Sequence, residues 1–137
     1  MDQGQFADPA ERSPVEELNA RRLIDKLSQS GQLKASFLMR VLREGQMALF
    51  DHGIATLLQL DVQPLRRALY GASPHPVALA CRAAGIDRSA FPTVYELCRH
   101  NKQCGTELSE SERREIQAIF HQVPKGDALQ RLRAAAA

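Results

Sequence analysis

The chain has 137 residues, enough for one domain with a buried core, and its 44% hydrophobic and 25% charged residues are near globular averages. The 18 Lys and Arg against 16 Asp and Glu leave a net charge of +2, far from the strongly basic balance of a typical nucleic-acid-binding domain. Aromatics make up only 5% and Trp is absent, so the core has to be built from Leu, Ala, Ile and Val.

Three cysteines, Cys81, Cys98 and Cys104, are an odd set without the spacing of a secreted disulfide scaffold, and they point to a reducing, cytoplasmic setting. No stretch approaches the ~20 apolar residues needed to span a bilayer, and the start of the chain lacks the basic and apolar regions of a signal peptide. A soluble, unexported protein without a membrane partner is expected.

Residues 1–13 are polar and acidic, are interrupted by Pro9, and read as a disordered leader. Order is expected from Ser13 as a helix cap with Pro14 in the first turn, and the apolar stripe of this helix is read as Leu18, Leu23, Ile24 and Leu27. A helix over 34–44 places Phe37, Leu38, Val41 and Leu42 on one face and ends at Gly45. The next helix carries Met47, Leu49, Phe50, Ile54, Leu57 and Leu58; Gly53 inside it costs about 1 kcal/mol relative to Ala and signals a close helix contact.

Asp61 is expected to cap the following helix, with Pro64 in its first turn. After the loop at 71–76, Pro76 opens a helix with Val77, Ala80, Cys81 and Ala84 that closes at Gly85. Ser89 is the expected cap of the next helix, since a cap at Asp87 would put Pro92 where a helical hydrogen bond is needed. A loop at 100–105 precedes Ser109-Glu110-Ser111-Glu112, the pattern of a capping box, and a helix with Ile116, Ile119 and Phe120 inward. Residues 123–137 read as a weak helical tail, capped by Asp127 and fraying at its alanines.

One pattern recurs along this order. Residues 32–42 lay over residues 59–69 with Gln, Leu, Leu, Arg and Leu identical, and residues 85–95 keep the same apolar frame. Each helical hairpin has an apolar stripe that it cannot cover alone, so neighbouring hairpins are expected to stack. The predicted fold is all-α, about seven helices in short hairpins forming either a solenoid-like arc or a compact orthogonal bundle, with a single domain over 14–122.

Arg40 and Arg67 occupy equivalent places in two copies, and Arg43, Arg66 and Tyr70 lie on the same helices, so these five residues are the candidate partner-binding ridge. The segment 54–69 also resembles the helix-turn-helix of bacterial DNA-binding proteins, although Gln59 stands where that motif usually has Gly and Val62, Gln63 and Pro64 are poor readers of bases. A zinc site from Cys98, His100 and Cys104, with or without Cys81, lacks a Cys-x-x-Cys pair, and both Cys81 and Cys98 fall on apolar faces. His52, His75, His100 and His121 are scattered and read as surface or capping residues. No phosphate loop, nucleophile elbow, metalloprotease motif or dinucleotide fingerprint occurs, so no catalytic residue, cofactor or metal is expected.

Ser36-Phe37-Leu38, Ala48-Leu49-Phe50, Leu65-Arg66-Arg67-Ala68-Leu69 and above all Pro76 through Thr93 make the chain similar to an uncharacterised alphaproteobacterial helical family, a domain of unknown function. The resemblance covers roughly residues 20–100, with its most specific part at Ala80-Cys81-Arg82-Ala83-Ala84-Gly85-Ile86 and the downstream Phe91-Pro92. It implies a bacterial, cytoplasmic, all-helical repeat protein and brings no activity with it. Together these readings predict a non-enzymatic module that binds a protein partner, or a second copy of itself, through an Arg-containing helical face. The alternative is a helix-turn-helix transcriptional regulator with 61–70 as its recognition helix.

Overall fold

Left-handed residues at four helix ends set the rhythm of the chain. In the computed structural model, which describes residues 14–71, 73–99 and 107–136, Gly31, Gly45 and Gly85 have φ of 73°, 76° and 82°, and Gln59 has φ of 58°. At each of them the next residue's N–H reaches back to a carbonyl five positions earlier: Gln32 to Leu27, Gln46 to Val41, Leu60 to Ala55 and Ile86 to Cys81, at 2.8 to 2.9 Å. This is the Schellman closure, which satisfies the last carbonyls of a helix and turns the chain sharply.

The described elements are all helical, and no strand occurs among the described residues: α1 (Pro14–Gln29), α2 (Ala35–Arg43), α3 (Met47–Leu58), α4 (Val62–Leu69), α5 (His75–Ala84), α6 (Phe91–Arg99), α7 (Glu110–Gln122) and α8 (Lys125–Ala136). A single 3-10 turn, Arg88–Ala90, leads into α6. The fold is all-α, with eight described α-helices where about seven were expected. Its contacts gather into two compact units, the first ending at Val62 and the second starting at Gln63. The expected leader 1–13, with its Ser13 cap, and the loop at 100–105 lie outside the described residues.

In the first unit α3 is the hub and packs against α1 and α2. Its burial is nearly all-round, from Met47, Ala48 and Phe50 to Ile54, Ala55 and Leu58, as expected of a helix covered on more than one side. Gly53 answers to the close contact read from the sequence: a Cβ there would collide with the Leu38 side chain of α2 and lie 3.4 Å from Ile24 of α1. The stripe of α1 differs from expectation. Ala20 and Ile24 are buried, whereas Leu18 and Leu23 are 47% and 42% exposed, because α1 turns only one side to α3.

In the second unit α5 takes the central place, packed against α6, α7 and α8, and the unbroken run Val77-Ala78-Leu79-Ala80-Cys81 is buried. Asp87, not Ser89, is the cap: its carboxylate accepts from the Ser89 N–H at 2.9 Å and begins the 3-10 turn. That turn defers α6 to Phe91, so Pro92 sits at the second helical position, where its missing N–H is harmless. The capping box at Ser109 and Glu112 forms in both directions, at 3.1 and 3.0 Å.

The C-terminal segment forms a helix packed against α5. Helix α8 begins at Lys125, so Asp127 falls within its first turn rather than capping it, and Ala128, Leu132 and Ala136 are buried, the first two fully. The apolar frame shared by the three similar segments points inward in each: Leu33, Leu38 and Leu42; Leu65 and Leu69; Ile86, Phe91, Val94 and Tyr95 are all buried. Leu60 is partly buried.

Candidate functional site

The five residues read as a partner-binding ridge do not share one environment. Arg40 and Arg43 are exposed on α2 of the first unit, and the Arg40 guanidinium lies over the Phe37 ring at 5.4 Å from its centroid. Met39, just before Arg40, is half-buried. Arg66, Arg67 and Tyr70 belong to the second unit, where Arg67 is exposed and Tyr70 half-buried. Arg66 is only 4% exposed and already engaged, which removes it from the ridge. Neighbouring residues on a helix point about 100° apart, so when α4 buries Leu65, Ala68 and Leu69 it can leave Arg67 in water while enclosing Arg66.

One concave basic feature was passed over in the sequence reading. Within the second unit, a cavity of about 440 Å³ is lined by the end of α5 (Arg82, Gly85), the turn after it (Ile86, Asp87, Arg88, Ser89), the end of α7 (Phe120, His121) and Lys125 of α8. Three permanent cations thus face one carboxylate. That carboxylate is held by its neighbour, since the Ser89 hydroxyl and N–H both donate to Asp87 and keep its acid below the usual carboxylate range.

Each cation is oriented by a specific feature. Arg82 donates from Nε to the Val123 carbonyl at 2.7 Å, which fixes the guanidinium and leaves its two terminal nitrogens without a described partner. Arg88 donates to His121 Nε2 at 2.6 Å, since an Arg nitrogen can only donate. Lys125 brings its Nζ over Gly85, where an added Cβ would stand 3.4 Å from it, and it makes no ion pair among the described residues. Gly85 therefore serves both the left-handed turn and the approach of an ammonium. Phe120, edge-on to Phe91 at 6.0 Å, supplies an apolar wall.

Two further histidines, His75 and His52, make polar contacts. His75 Nε2 is 2.6 Å from Glu115, and its Nδ1 is 2.8 Å from the Ser73 hydroxyl, a hydroxyl, imidazole and carboxylate in sequence. The Ser73 oxygen also accepts the His75 N–H at 3.2 Å, so it works at the start of α5, and the His75 and Glu115 side chains are 35% and 54% exposed. The arrangement ties α5 to α7 in open water. His52, expected at the surface, is 9% exposed on α3 and bonds Glu17 of α1 at 3.0 Å, because a polar group enclosed by helices needs a partner.

Cys81 and Cys98 are buried thiols, and burial pushes Cys81 up to about 12, well out of nucleophilic range. His100 and Cys104 lie outside the described residues, among which no group of three His, Cys, Asp or Glu side chains is placed to hold a metal. No described helix is long and apolar enough to cross a membrane.

Compared with known families, residues 3–133 match the family model described as an uncharacterised protein conserved in bacteria (DUF2336). The narrower alphaproteobacterial attribution is no part of that description. No curated protein and no solved structure matches the chain.

Proposed function

The chain belongs to this DUF2336 family of bacterial proteins, and on that footing we propose that it is a non-enzymatic, cytoplasmic interaction module that binds a protein partner or a second copy of itself. The observation that carries the reading is the outer side of α2, where Arg40 stacks on Phe37 with Arg43 exposed beside it and Met39 half-buried. Arg, aromatic and Met side chains are the types enriched in protein interfaces, and neither Arg has an ion-pair partner among the described residues. Pre-stacking on Phe37 also lowers the side-chain entropy lost when Arg40 docks.

The transcriptional-regulator reading has less support, because α4 leaves only Gln63 and Arg67 fully exposed to reach base edges. The test reverses charge on α2. Arg40→Glu with Arg43→Glu is expected to abolish capture of the partner from a bacterial lysate, or self-association in sedimentation, while the helical circular dichroism stays unchanged. An identical partner profile and sedimentation coefficient would remove α2 from the account.

A further inference from the structure

We propose that the cavity between α5, α7 and α8 is a binding site for a small phosphate monoester, its phosphoryl group held by Arg82, Arg88 and Lys125 and its organic body laid against Phe120 and Ile86. The proposal goes beyond the α2 surface and stands on different residues. Three cations converge on one concave space of about 440 Å³, a volume suited to a small ligand rather than to an extended chain. The one carboxylate in the lining, Asp87, is held by Ser89 and offsets one of the three cations, so the lining keeps an excess of positive charge.

The cations differ in a way that matches a tetrahedral dianion. Arg82 is pinned through Nε, so its two terminal nitrogens remain as a fixed fork. Arg88 is steadied by His121 Nε2, 2.6 Å away, rather than by a carboxylate. Lys125, over the bare backbone of Gly85, adds a mobile point charge. The hydroxyl and carboxylate of the lining, Ser89 and Asp87, are bonded to each other, and the role assigned to the site is binding.

The experiment follows backbone amide resonances of the full chain during titration with inorganic phosphate and then phenyl phosphate, against sodium chloride at matched ionic strength. Expected are saturable shifts at Gly85–Ser89, His121 and Lys125, with phenyl phosphate about fivefold tighter through contact with Phe120. The exposed pair Arg88→Gln and Lys125→Ala should weaken both ligands at least about tenfold with the fold intact. Absence of saturation at tens of millimolar phosphate overturns the proposal, and so does unchanged affinity in the double variant. A phosphoserine peptide that binds more tightly than phenyl phosphate overturns the small-ligand assignment.

Discussion

Gln59 carries the clearest single-residue signature in the chain. It is the non-glycine at positive φ among the described residues, filling a left-handed position that glycine takes at the three equivalent helix ends. A left-handed L-residue costs about 1–2 kcal/mol, part of which glycine returns as unfolded-state entropy. Gln59→Gly should therefore raise the unfolding free energy by about 0.5–1 kcal/mol in urea denaturation, since the exposed side chain loses no described contact. The same sequence reading that counted Gln59 against a helix-turn-helix had found this turn without its backbone angle.

Gly53 presents the opposite balance. Helix propensity favours any replacement by about 1 kcal/mol for Ala, but the missing Cβ is occupied by Leu38. Val at this position adds two methyl groups against Leu38 and Ile24, so Gly53→Val should destabilise by about 1–3 kcal/mol in the same measurement. Cys81 supplies a pH effect with a definite sign. Unfolded, the thiol ionises near 9.0, and folded, near 12, so between these values the unfolded chain holds fewer protons and stability falls as pH rises. Cys81→Ala should flatten the decline of the melting temperature between these pH values, and an equally steep decline in the variant would contradict burial of the thiol.

At the scale of elements, two helices show where local signals suffice and where they fail. The capping box of α7 was legible because its partners, Ser109 and Glu112, are three residues apart and need nothing else from the fold. Ser109→Ala should cost about 1 kcal/mol, read as a lowered urea midpoint. Helix α8 lacked such a signal. Its periodicity rests on Ala128, Leu132 and Ala136, too little apolar area to suggest a core, yet the face it forms closes over α5. Leu132 is fully buried, so Leu132→Ala should destabilise by about 2–5 kcal/mol; an effect under 0.5 kcal/mol would return the segment to a dispensable tail. The Pro92 difficulty likewise had a solution in the chain, the 3-10 turn capped by Asp87, but a turn of three residues has no period to read.

For the whole molecule, the net charge of +2 provides almost no long-range field, so affinity for polyanions must come from local clusters. Non-specific duplex DNA is expected to give no mobility shift at ~0.15 M salt, and a retained shift there would revive the regulator reading. What the sequence by itself determined is the class: apolar residues at helical spacing, closed by glycines, demand an all-α chain, because periodicity is imposed by each helix on its own residues. Tertiary structure alone decided which charges are usable. Arg66 and Arg67 are adjacent in sequence yet one is enclosed and the other wet, while Arg82, Arg88 and Lys125, separated along the chain, meet at one cavity. Burial and convergence depend on which helix lies against which, and that information is carried by no local pattern.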